Sequence, residues 1–221
     1  MHQSDISSDE KFENHDGQTY QYSTEWIHAL ESEAHWRLYW HQQNLVQGLV
    51  QAGDTVLEIG VGTGFTANYL RSKGVQVTTL DIDSGKNPDI VTNVITYDFP
   101  HRYDHILAFE VLEHIPFDKV EELLPKLATT AQQYLMLSVP VHRAAIAHLE
   151  LKIPKFPQLS WKLMRRRKKH SSVHHHWEVD DDFVLRSKLE KTFRSSGFEI
   201  VQSNSVMSAY LFYALQIRQA R

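Results

Sequence analysis

Gly60, Gly62 and Gly64 stand at alternate positions directly after the apolar run Val56-Leu57-Glu58-Ile59. Without a Cβ these residues let the backbone turn sharply and aim its N–H groups at a ligand. Glu58 precedes the first glycine by two positions, and Asp81 closes the next β-branched run. A carboxylate at such a strand end can accept from both hydroxyls of a ribose, so the chemistry expected is recognition of a nucleoside. Phe65 occupies the place where the dinucleotide fingerprint G-x-G-x-x-G has its last glycine, which argues against a nicotinamide dehydrogenase.

A second group, Glu110, Glu113 and His114, has the i, i+3, i+4 spacing that brings side chains together on a helical turn. A neutral imidazole takes a proton near neutral pH, so His114, helped by Glu113, is a candidate general base. The alternative is that His114 hydrogen-bonds the turn and orders the start of a helix. No metal is expected, because two carboxylates and a histidine arise easily in a chain with 14 histidines. Farther on come His174, His175, His176, Trp177 and Glu178, where consecutive histidines point different ways and do not make a zinc site of about four spaced donors. Between the two groups lies a basic run at 162–169, Lys162 and Arg165 to Lys169. It is either a solvated loop or a contact for an anionic substrate, an acidic lipid surface or nucleic acid.

The elements that must carry these residues follow from periodicity. Thr55 to Ile59 reads as a buried strand, and Thr63 to Lys73 as a helix with Phe65, Tyr69 and Leu70 on one side. Val75 to Leu80, Asp89 to Thr92, His105 to Phe109 and Gln133 to Val139 are further strands, and Asp118 to Thr129 is a helix with an apolar stripe. Strands that alternate with helices or loops make a parallel sheet the economical reading. Asp182 can cap a helix from Phe183 to Ser195, after which Phe198 to Gln202 and Leu211 to Ile217 form a closing hairpin. Upstream, Thr24 is a possible N-cap for a helical region over 23–52 that is rich in aromatics. Those rings either pack the helix onto the sheet or cap the ligand site.

The chain has 221 residues, 42% of them hydrophobic, which suits one domain spanning 21–221 behind a polar, disordered tail at 1–20. A net charge of -4 does not suggest bulk nucleic-acid binding, and the absence of cysteine excludes thiolate chemistry and cysteine zinc sites. No stretch approaches the roughly 18 apolar residues of a membrane span, so a cytoplasmic protein is expected.

VLEIGVGTGF at 56–65, VTTLDID at 77–83, PDIV at 88–91 and EVLEHIP at 110–116 resemble the class I S-adenosylmethionine-dependent methyltransferases. EVLEHIP in particular is similar to the small-molecule, type 11-like branch, which includes quinone-precursor O-methyltransferases. The resemblance implies a Rossmann-like, doubly wound, mostly parallel seven-stranded sheet with an antiparallel C-terminal hairpin. It covers the cofactor core at 54–140, and SGFEI at 196–200, within the C-terminal part at 183–221, agrees with it. Residues 1–50 and the insertion or cap at 141–182 lie outside it.

On this resemblance the cofactor is S-adenosyl-L-methionine. Glu58, Gly60 and Gly62 would line its methionine part, Gly64 would belong to the same cofactor-binding loop, Asp81 would hold the ribose diol and Ile82 would pack on adenine. Asn93 stands where relatives carry an acidic residue and would accept from the adenine amino group. Glu110 would face the methionine end or the reacting centre. A family-like H-x-W-E segment adds His176, Trp177 or Glu178 to the site. Some quinone-pathway relatives use a similar acidic and histidine set near a divalent metal. The expected reaction is methyl transfer to a small-molecule acceptor; the alternatives are a non-catalytic binding module or methylation of nucleic acid or protein.

Overall fold

In the computed structural model, residues 11–15, 18–22, 32–151, 153, 159–172 and 174–218 are described. Fifteen regular elements order them in the chain. Strands β1 (Lys11–His15) and β2 (Gln18–Tyr22) pair with each other, and helix α1 (Glu33–Val46) follows. Then come β3 (Thr55–Ile59), α2 (Phe65–Ser72), β4 (Gln76–Asp81), β5 (Ile90–Val91), β6 (Tyr103–Phe109), α3 (Phe117–Thr130) and β7 (Ala131–Pro140). A separate pair, β8 (Arg143–Leu151) and β9 (Leu159–Arg166), precedes α4 (Arg186–Ser195), β10 (Phe198–Val206) and β11 (Tyr210–Ile217).

Alternation along the strands builds two cores. Leu57, Ile106, Leu135, Leu137, Tyr213 and Leu215 face α3 and α4, whereas their neighbours Val56, Leu107, Met136, Phe212 and Ala214 face α1 and α2. Both faces of the sheet are therefore covered, which is why its central strands are nearly continuous apolar runs. The seven strands lie in the order β10-β11-β7-β6-β3-β4-β5, parallel from β7 to β5 and antiparallel at β11 and β10.

The chain leaves β3 for β4 and β5 and then returns to β6 on the other side of β3. Such a reversal opens a crevice at the carboxyl ends of the strands. Those ends carry the glycine loop, Asp81 and Glu110.

Two expectations about the elements change. The tail expected to be disordered at 1–20 takes part in the β1–β2 pairing over 11–22, while residues 1–10 and the proposed cap Thr24 lie outside the described residues. Within the expected helical region, helix α1 has Ser32 as its N-cap, whose hydroxyl accepts from the His35 N–H. Asp182 does not cap the last helix. Asp181 takes the N–H groups of Phe183 and Val184 at 2.8 and 2.7 Å, and Asp180 takes that of Arg186 at 3.1 Å, so the helix begins at Arg186. The 141–182 segment, expected as an insertion or cap, contains the β8–β9 pair.

Candidate active site

The glycine loop is shaped by one close approach. Gly60 has φ +79°, its N–H donates to Leu80 O at 2.8 Å, and a Cβ there would lie 2.4 Å from Val111 Cγ2. Only glycine lets β3 end against the residue after Glu110. Gly62, at φ +54°, faces open space, and Gly64 starts α2. Asp81 ties this loop to the end of β4: its carboxylate accepts from Val61 N at 2.8 Å and Asp83 N at 2.9 Å, and Lys86 Nζ lies 3.1 Å away. Half-buried Ile82 follows it. From above, Tyr39 of α1 bonds the Thr63 hydroxyl at 3.0 Å and packs on Phe65 at 4.7 Å. The aromatics of α1 thus hold the loop as well as packing the helix.

Glu58 is buried beneath the loop, and its Oε2 has no hydrogen-bond partner. Burial pushes its carboxyl up to about 8, against the pull of Arg71 and the Ala67 N–H. A buried carboxyl with one unpartnered oxygen beside a glycine cradle fits a ligand that brings its own ammonium, as the methionine part of S-adenosylmethionine does. Asn93 has a more local task. Its Oδ1 accepts from Ile95 N at 3.0 Å, and its backbone carbonyl accepts from Thr96 and Tyr97, so it closes the turn after β5.

At the end of β6, Glu110 takes the left-handed conformation, φ +55°, and its N–H donates to Ser138 O at 3.1 Å. The next residues form the turn Leu112–His114. Glu110 Oε1 and both oxygens of fully buried Glu113 have no donor. Two neighbouring carboxylates cannot hydrogen-bond each other; a proton between them makes one a donor. Burial drives that protonation, raising Glu110 to about 7 and Glu113 well above its ordinary range, where the negative charge of Glu110 adds to the effect. Tyr210 faces both and is pushed up to about 12 by burial and by their charge.

His114 is kept neutral, lowered to about 3 by burial and by neighbouring His175. Its Nδ1 lies 3.2 Å from His174 O, so a proton on Nδ1 leaves Nε2 as the acceptor. The ring of His175 sits edge-on to that of His114, with centroids 5.0 Å apart. One ligand atom each from Glu113, His114 and His175 fall within 4.8 Å of one another. That group can hold a metal ion, although none was expected from the sequence.

Glu178 anchors the opposite wall. It is fully buried and receives His142 Nδ1 at 3.1 Å, His175 Nδ1 at 2.9 Å, and the N–H and hydroxyl of Ser171. Burial alone would raise its carboxyl, but the hydrogen bonds from His175, Ser171 and His142 outweigh it and hold the group at about 2. Trp177 is a packing residue, buried against Phe117 with Nε1 donating to Ile115 O at 2.9 Å.

His176 needs correction as a catalytic candidate. Its backbone N–H donates to Glu113 O, but its side chain is exposed, near Asp118. His175 takes the inward position. The register of H-x-W-E marks it as the motif's histidine, a signal the sequence reading passed over. A cavity of about 410 Å³ between α1 and α2, lined by Trp40, Gln43 and Tyr69, lies at the opposite ends of the strands and takes no part in this arrangement.

Residues 39–203 match the methyltransferase domain family. Among solved structures, the chain is similar to magnesium protoporphyrin IX methyltransferase from Synechocystis PCC 6803 with bound S-adenosylhomocysteine: TM-score 0.60, 15% identity, covering 87% of this chain and 93% of that one. It is also similar to an S-adenosylmethionine-dependent methyltransferase from Clostridium acetobutylicum ATCC 824: TM-score 0.55, 10% identity, 86% and 94% covered. A third is a glycopeptide N-methyltransferase with S-adenosylhomocysteine: TM-score 0.55, 10% identity, 80% and 89% covered. No curated protein matches the chain. Among the described residues, no helix is long and apolar enough to cross a membrane.

Proposed function

Because the chain belongs to the methyltransferase domain family and is a class I S-adenosylmethionine-dependent methyltransferase, we propose that its acceptor is a small molecule deprotonated by the Glu110–Glu113 pair. The observation that carries this reading is the orphaned carboxyl pair at the end of β6, next to Val111 and the glycine loop. S-adenosylmethionine supplies a methyl group already activated on a sulfonium. The chain's own work is to hold, align and dry the reactants, and alignment alone reaches effective molarities of about 10⁵ M.

In this reading Glu58 and the Gly60–Gly64 loop hold the methionine part, Asp81 the ribose and Ile82 the adenine face. His114 and the Glu110–Glu113 pair divide the proton work. A base is best matched when it titrates near the working pH. His114 at about 3 is too weakly basic to keep a proton, whereas Glu110 at about 7 is well poised. His114 therefore orients the acceptor's hydroxyl or amine through Nε2, and the carboxyl pair takes the proton. His175, held by Glu178, fixes the His114 ring.

Small-molecule neighbours such as the porphyrin methyltransferase are consistent with such an acceptor and do not identify it. Calorimetric titration with S-adenosylmethionine, followed by S-adenosylhomocysteine release over a panel of hydroxyl and amine acceptors, tests the reading. Unchanged cofactor binding in Asp81→Ala would overturn the cofactor site. Full turnover in Glu110→Gln would overturn the base.

A further inference from the structure

Strands β8 and β9 form a sheet of their own that joins no other strand among the described residues. In their register Ala147 stands opposite Leu163, Leu149 opposite Trp161 and Leu151 opposite Leu159. Alternate residues share a face, so these residues make one apolar side. That side is open to solvent: Leu159 is 68% exposed, Leu149 65%, Trp161 58%, Leu151 50% and Leu163 45%. A two-stranded hairpin is marginal in water, and a contiguous exposed apolar face marks a binding surface.

The chemistry of what covers it is written at the hairpin's root. The row Leu159, Trp161, Leu163 continues on the same face into Arg165, the first of five consecutive cations in a chain of net charge -4. Arg166 is paired with Asp182 and Arg143 with Asp180. Arg165, Lys168 and Lys169 make no ion pair among the described residues, and all three are exposed. An apolar face with a tryptophan, flanked by unpaired cations, has the composition of a segment that lies in the interface of an anionic membrane.

We propose that the β8–β9 hairpin docks the enzyme on an anionic lipid bilayer. The leucines and Trp161 enter the boundary between headgroups and acyl chains, and Arg165, Lys168 and Lys169 meet lipid phosphates. Single-stranded nucleic acid is the poorer partner, because base stacking asks for several rings and this face offers one. A second copy is also poorer, since two such roots would set like charges together. The hairpin is joined at its root to the Glu178 wall of the site, where His142 N donates to Val179 O at 2.7 Å and Arg167 N to His142 O at 3.1 Å. Docking therefore holds the His142–Glu178 wall of the site beside the bilayer.

Flotation of the full chain with phosphatidylcholine vesicles, with and without phosphatidylglycerol, tests the proposal. The wild type should float with the anionic vesicles and only weakly with the neutral ones. Leu149→Ser/Trp161→Ser should lose about tenfold or more of this binding, and Arg165→Ser/Lys168→Ser/Lys169→Ser should lose the anionic preference. Both variants should keep cofactor affinity and thermal midpoint, because they alter exposed positions outside both cores. Equal recovery of the wild type with and without vesicles would overturn the proposal, as would unchanged flotation of the leucine–tryptophan variant. Binding to single-stranded RNA in place of vesicles, or a wild-type dimer by light scattering that the same variant dissolves, would also overturn it.

Discussion

The backbone N–H of His176 donates to the carbonyl of Glu113 at 2.9 Å, joining the end of the insertion to the turn that follows β6. That bond leaves the His176 side chain outside and places His175 against His114. His175→Ala should lower kcat about a hundredfold by releasing both the His114 ring and Glu178. His176→Ala should stay within a few-fold of wild type, its backbone bond being intact. Steady-state kinetics of the two variants decide between them, and an equal loss in both would return His176 to the site.

How far the sequence carried depended on whether a signal was local. Gly60, Asp81 and Glu110 each close a β-branched or apolar run, so the strand ends that carry the candidate site were legible. His175 was missed although the register of H-x-W-E marks it: three adjacent histidines offer equal chemistry, and it is the bond from His176 to Glu113 that turns His175 inward. The β8–β9 pair was hidden for another reason. The segment reads only as an insertion or cap outside the resemblance, although Leu149, Leu151, Leu159, Trp161 and Leu163 carry a period of two. Asp182 looked like a cap because helix starts favour aspartate, but Asp180 and Asp181 had already taken the free N–H groups.

The Glu110–Glu113 pair sets a pH dependence. Its base form is the deprotonated one, so kcat should rise with pH through the step near 7 that Glu110 carries. Glu110→Gln should flatten that limb. Glu113→Gln should lower the rate while keeping a rising limb, since Glu110 remains. A limb that survives in Glu110→Gln would assign the proton to another group.

Glu58 sets a stability dependence of the cofactor-free chain. The folded chain keeps a proton at Glu58 up to about 8, whereas the unfolded chain releases it near 4.5. Between those values the folded state binds more protons, so raising pH through the window destabilises it, by on the order of a few kcal/mol. Glu110 and Glu113, raised in the same direction, add to the slope. Urea unfolding across this range should show stability falling as pH rises, less steeply in Glu58→Gln. A slope identical in the variant would show that Glu58 is not the proton site.

Glu178 works with the opposite sign. Its folded value, about 2, lies below the ordinary 4.5, so its contribution is present above 4.5 and lost as pH falls toward 2. Glu178→Gln should cost about 2 kcal/mol at neutral pH by weakening the charge-assisted bonds from His142, His175 and Ser171. The gap between wild type and variant should close in acid. A gap independent of pH would point to packing instead of charge.

Gly60 and Gly62 separate folding from binding. Both have positive φ, but a Cβ at Gly60 would meet Val111 Cγ2 at 2.4 Å, whereas one at Gly62 would meet nothing within 4 Å. Gly60→Ala should therefore destabilise the chain by about 2–4 kcal/mol, combining backbone strain with overpacking of a packed strand end. Gly62→Ala should cost only about 1–2 kcal/mol of backbone strain, leaving a folded protein. If the open space over Gly62 is where the cofactor's methionine part lies, that methyl group should still cut S-adenosylmethionine affinity by about tenfold or more, because a well-packed contact has no room for it. Thermal unfolding and calorimetric titration on both variants provide the two readouts. A Gly62→Ala chain that binds S-adenosylmethionine as tightly as wild type would move the methionine part away from this loop.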